Sequence, residues 1–184
     1  MIRLSNVKKS FGDKAVLTDF SLSLAAGERV CLMGASGTGK TTVLNLIAGL
    51  IQADEGEVSS LGAVSVVFQE NRLCEDFSAL SNVKMVCDDR KRCAKMLCDL
   101  GLSEDILTPV RSLSGGMKRR VAIARALLFP HDILLLDEAF SGLDEETKEK
   151  VAEVINRHTQ GKTVVLVSHD EEEARLLNAK ILKI

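Results

Sequence analysis

Nine residues, Gly34 to Thr42, constrain this chain more than any others: G-A-S-G-T-G-K-T-T. They follow a compact apolar stretch, Val30 to Met33. They open a segment in which Val43, Leu44, Ile47 and Leu50 recur at helical spacing. A strand, a glycine-rich turn and a helix in succession point to an α/β fold with a parallel sheet, once further strands and helices alternate along the chain. Gly34, Gly39, Lys40 and Thr41 also meet the spacing G-x-x-x-x-G-K-[ST]. Glycines let successive backbone N–H groups curve around an anion, and the helix start adds free N–H groups and a positive dipole end. Ala35, Ser36, Gly37 and Thr38 complete the cradle. Lys40 is placed to reach the β- and γ-phosphates of a nucleoside triphosphate, the Thr41 hydroxyl to ligate Mg²⁺, and Thr42 to add a hydroxyl contact to phosphate.

The pattern elsewhere agrees with that start. Residues 1–30 alternate short apolar and polar stretches between turn signals at Gly12-Asp13 and Gly27, which predicts an N-terminal antiparallel β part. Ala63 to Phe68 reads as a strand. Val83, Val86, Met96, Leu97 and Leu100 keep helical spacing over residues 79–101. Gly116 to Phe129 is predicted helical, with Pro130 beyond its end, and residues 145–159 form a charged amphipathic helix. I-L-L-L at 133–136 and the β-branched run from Thr163 to Val167 suit strands buried on both faces of a parallel sheet. A helix over 170–178 and a short strand over 181–184 close the chain. The fold class is therefore α/β with a parallel core sheet. A length of 184 residues fits one domain, with a small helical insert at about 70–128.

The buried strand Ile133 to Leu136 ends in Asp137 and Glu138. Open α/β sheets bind ligands at the carboxyl ends of their strands. Asp137 can hold Mg²⁺ through water, and Glu138 can orient or deprotonate a water attacking a γ-phosphate. A second glycine pair, Gly115-Gly116, stands behind Ser114 at the start of a predicted helix. There Ser114 suits an N-cap and the free N–H groups suit an anion.

Composition excludes several alternatives. Charge is nearly balanced, 24 basic against 26 acidic residues, which argues against bulk nucleic-acid binding. Lys118, Arg119, Arg120 and Arg125 form a basic patch, most of which reads as a solvated helix face. Five cysteines without a C-x-x-C pair give neither a disulfide framework nor a metal site, and fit reduced thiols in a cytoplasmic protein. The apolar run at 133–136 is far too short for a membrane span, and the N-terminus carries no signal-peptide pattern.

With these motifs in this order, the chain resembles the ATP-binding subunits of ABC transporters over essentially its whole length. The phosphate loop is 34–42, Gln69 fits the Q-loop, L-S-G-G-M at 113–117 the signature motif, and I-L-L-L-D-E the Walker B strand. S-G-L-D at 141–144 fits the D-loop, and His169 the switch histidine. The resemblance implies a P-loop NTPase cassette that hydrolyses ATP with Mg²⁺ where two copies pair head to tail. Ser114 and Gly116 of one copy then touch the γ-phosphate held by the other, and Gly115 permits close approach. Gln69 contacts Mg²⁺ and the attacking water, and His169 hydrogen-bonds the γ-phosphate. Phe11 stacks on adenine, and Asp144 orders the facing loop across the dimer. It further implies membrane permease subunits as partners, a solute-binding protein acting indirectly, and a place on the cytoplasmic face of the membrane.

F-Q-E-N-R-L (68–73) and the methionine at 117 look most like the nitrate, sulfonate and taurine importer branch. Cys74-Glu75-Asp76 stands where that branch is more apolar. The stretch from Lys40 to Gln69 is compressed, with little room for further strands, and the short stretch after His169 gives the expectation that the regulatory C-terminal domain of many importers is absent. A soluble ABC ATPase outside transport is the alternative; the coiled coils, tandem cassettes or long insertions usual in that class are absent.

Overall fold

The computed structural model describes residues 1–184. Five parallel strands carry the site: β3 (Arg29–Met33), β5 (Val64–Val67), β6 (Ile133–Asp137), β7 (Thr163–Val167) and β8 (Lys180–Lys183), ordered β5-β6-β7-β3-β8. Alternation explains the unbroken apolar runs. Ile133 and Leu135 point into one hydrophobic cluster, whereas Leu134 and Leu136 point into another on the opposite face. Helix α1 (Lys40–Ile47) and the N-terminal strands cover the first face. The second face is covered by α2 (Ala79–Lys84), α3 (Arg90–Asp99), α4 (Gly115–Leu128), α5 (Glu145–His158) and α6 (Glu171–Leu176).

A separate antiparallel sheet, ordered β2-β1-β4, is built from β1 (Ile2–Phe11), β2 (Lys14–Leu24) and β4 (Glu55–Ser60). Gly12, at φ +58°, makes the turn between the first two strands. Strand β4 corrects the expectation that the compressed stretch between Lys40 and Gln69 leaves little room for strands. E-G-E-V-S-S has almost no strand propensity of its own. It forms because β1 offers a partner backbone, with Leu4 opposite Val58 and Lys8 opposite Glu55. Ion pairs from Lys8 to Glu55 (2.7 Å) and Lys9 to Asp54 (2.6 Å) hold its start.

The helical spacing over residues 79–101 resolves into two helices. The break falls before Asp89, whose carboxylate caps α3 by accepting the N–H groups of Lys91 and Arg92. Cys87 lies in that break and Cys93 within α3, and all five cysteines are free thiols. No helix is long and apolar enough to cross a membrane.

Candidate nucleotide site

The carboxyl ends of β3, β6 and β7 lie side by side, so the segments that leave them meet. A cleft of 390 Å³ opens there, lined by Phe11, Ser36, Gly37, Gly39, Lys40, Thr41, Thr42, Gln69, Glu138 and His169. These sequence-distant residues were all expected to share one site. Lys14, Val16 and Val167 line it too. Sequence reasoning missed those three, because a lysine and two valines in strands carry no motif. The Lys14 ammonium nevertheless lies 3.8 Å from where a Cβ on Gly37 would stand.

Positive φ angles at Gly37 (+83°) and Gly39 (+97°) curl the loop, and Gly39 caps α1 without any side-chain acceptor. The first N–H groups of α1 therefore lack a side-chain cap and suit an anion. Lys40 is 6% exposed, and its ammonium donates to the carbonyls of Gly34 (2.8 Å) and Ala35 (2.7 Å). Three members of the loop do other work. A Cβ on Gly34 would collide with the Ile184 carbonyl oxygen at 2.1 Å, so this glycine is required by packing. Ala35 supplies an acceptor, and the Thr38 hydroxyl donates to its carbonyl at 3.0 Å. None of the three lines the cleft.

Asp137 is 4% exposed, and burial pushes its carboxyl above the ordinary range, opposed by a hydrogen bond from Thr41 and added to by Glu138. A buried carboxylate beside a hydroxyl is a donor pair that suits Mg²⁺. Glu138 takes a left-handed backbone, φ +48°, and its N–H donates to the Val167 carbonyl at 3.0 Å. That turn aims its carboxylate between two side chains. Gln69 donates to one oxygen at 3.3 Å, and His169 lies 3.4 Å from the other. Phe11 is half exposed at the rim, with the Lys9 ammonium 5.5 Å from its ring centre.

A second cleft, of 520 Å³, shares no residue with the first; Ser114, Gly115, Gly116, Gly142 and Asp144 line it. Ser114 caps α4 by accepting the Met117 N–H at 3.2 Å. The two glycines differ. A Cβ on Gly116 would come within 3.0 Å of the Gly142 carbonyl oxygen, whereas one on Gly115 would meet nothing within 4 Å. Asp144 caps α5 by accepting from Thr147, and those bonds hold its carboxyl below the usual range.

The basic residues of α4 are not a solvated patch, contrary to the sequence expectation. Three arginines each bridge two consecutive backbone carbonyls. Arg119 reaches Phe68 and Gln69 (2.6 Å each), Arg125 reaches Asn71 and Arg72, and Arg120 reaches Leu100 and Gly101. Arg119 is 5% exposed; burial lowers its pKa, and the nearby Asp137 and Glu138 oppose that. The Gln69 segment is thus fastened to the helix that begins at the signature motif.

Comparison with known proteins agrees with this geometry. The family model for ABC transporters matches residues 17–141. The chain is 40% identical to the aliphatic sulfonates import ATP-binding protein SsuB 1 of Rhodococcus jostii (strain RHA1), over 97% of this chain and 77% of that one. It is also 40% identical to SsuB 2 of Pseudomonas savastanoi pv. phaseolicola (strain 1448A / Race 6), over 98% of this chain and 69% of the relative. Among solved structures it resembles the dimeric structure of MJ0796, a bacterial ABC transporter cassette, with TM-score 0.90 and 33% identity over 100% of this chain and 94% of that one. A bacterial Atm1-family ABC exporter with ATP bound matches at TM-score 0.89 and 25% identity, over all of this chain and 36% of the exporter. With its phosphate cradle, Walker B carboxylates and signature helix in place, this chain belongs to the ABC transporter family, as one of its ATP-hydrolysing cassettes.

Proposed function

We propose that two copies of the chain clamp ATP head to tail and hydrolyse it to ADP and phosphate, and that this drives solute import through a partner membrane permease. The observation that carries the reading is the Glu138 carboxylate, held between Gln69 and His169 at the phosphate cleft. A carboxylate oriented by two flanking groups is placed to take a proton from a water attacking the γ-phosphate. Lys40 exchanges its two loop carbonyls for phosphate oxygens. Thr41, Asp137 and Gln69 are the residues that would hold Mg²⁺, which would supply charge neutralisation for the triphosphate. His169 donates to the γ-phosphate, and Phe11 gives adenine an exposed ring on which to stack.

The second cleft supplies the other half of the clamp. Ser114, Gly115 and Gly116 of one copy close on the nucleotide of the other. Gly115 is the residue whose open side faces outward in the single chain, and Asp144 orders the loop facing it. The whole of residues 1–184 acts as one cassette, with 70–128 as its helical part. The import direction and the anionic-solute branch rest on the sulfonate-import relatives. Membrane attachment on the cytoplasmic face then goes through the permease, and a solute-binding protein acts only indirectly.

The test is hydrolysis by Glu138→Gln. The expected result is a loss of at least about a hundredfold in kcat, with ATP still bound. Full-rate hydrolysis would remove Glu138 from the chemistry. Co-purification with a co-expressed permease checks the transport assignment, and recovery of the cassette free of the permease at every step would count against it.

A further inference from the structure

One polar network, with Ser168 and Glu173 at its buried end, plays no part in the chemistry above. Lys148, one turn into α5, is only 13% exposed and faces three carboxylates: Glu145 at 3.0 Å, Asp170 at 3.3 Å and Glu173 at 3.4 Å. Glu173, on α6, is buried, and its second oxygen accepts the Ser168 hydroxyl proton at 2.6 Å. That same hydroxyl oxygen accepts the Asp170 N–H at 2.9 Å. Ser168 and Asp170 are the two chain neighbours of His169, so both sides of the histidine are tied down. Glu173 has one oxygen on each partner, and Lys148 closes the chain of contacts on the helix that Asp144 caps.

We propose that Lys148, Glu173 and Ser168 form a positioning relay, which seats the loop carrying His169 against the helix that starts at Asp144. The His169 side chain is half exposed and makes one polar contact, with Glu138; that contact alone does not tie the loop to α5. A reacting group must be held within about 0.5 Å of its productive place by neighbours whose own geometry is locked. The relay supplies that locking from an element that begins in the second cleft. Seating of Asp144 by a second copy is thereby felt at the His169 of the same chain. The inference rests on the catalytic reading of His169 given above.

The experiment measures steady-state ATP hydrolysis and ATP affinity for Ser168→Ala, Glu173→Gln and Lys148→Met, with Lys148→Arg as the conservative replacement. The full chain is used, well below each variant's melting temperature. The expected result is a fall in kcat of about tenfold to a hundredfold with ATP affinity unchanged, and recovery of most of the rate in Lys148→Arg. The His169 ring resonances should broaden or split in Lys148→Met and sharpen again in Lys148→Arg. Wild-type kcat in the three variants, with only a lower melting temperature, overturns the relay even where His169→Ala abolishes hydrolysis. Full-rate hydrolysis by His169→Ala overturns the catalytic reading, and the relay with it.

Discussion

Glu138 holds a backbone conformation, φ +48°, that costs an ordinary L residue about 1–2 kcal/mol. The chain tolerates this because the turn puts the carboxylate between Gln69 and His169. Glu138→Gly should therefore leave stability unchanged or raise it by up to about 1 kcal/mol while abolishing hydrolysis. Urea unfolding without nucleotide, beside an ATPase assay, checks both halves; a clear loss of stability would show that the turn is not strained. Asp137 makes a similar compromise. Its folded-state pKa is raised by burial, so its contribution favours folding at low pH and is lost as pH rises through its titration. Asp137→Asn should then melt a few degrees higher than the parent at neutral pH without nucleotide, and should lose the Mg²⁺ dependence of hydrolysis. A lower melting temperature would mean that the charge is already compensated in the free protein. Both residues were legible from the motif, but the strain and the burial were not, since neither is written in residue identity.

Helices α4 and α5 bring their caps together in the second cleft, and the two glycines of α4 have separable roles there. Gly115→Ala adds a methyl group to open space and improves helix propensity by about 1 kcal/mol. It should leave the single chain at least as stable and weaken its ATP-dependent pairing. Equal pairing by sedimentation would detach Gly115 from the interface. Arg119 works at the same scale, because its guanidinium joins α4 to the backbone on either side of Gln69. Arg119→Ala should destabilise the chain by about 2–3 kcal/mol and slow hydrolysis, with Arg119→Lys intermediate. A substitution within about 0.5 kcal/mol of wild type would return Arg119 to the surface patch that the sequence suggests. That misreading has a simple cause. Helical periodicity places a basic residue on a face, but the carbonyls that make burial affordable belong to loops 50 residues away in sequence. Strand β4 escaped notice for the same reason, since its partner β1 lies at the other end of the segment. Apolar runs such as Ile133 to Leu136 depend on no distant partner for their meaning, and their strands were legible at once.

Over the whole molecule, the phosphate cradle and the signature helix open into separate clefts with no residue in common. One chain therefore presents two unlike clefts, which the proposed head-to-tail pairing would join into one site. The order of motifs made that legible only through family resemblance; nothing in periodicity or composition reports what a second copy does. The most direct measurement is sedimentation velocity of the Glu138→Gln variant with and without MgATP. The account predicts a single chain without nucleotide and a stable species of twice the mass at saturating ATP, abolished by Lys40→Ala. A particle that binds ATP and still sediments as one chain at every concentration would contradict it.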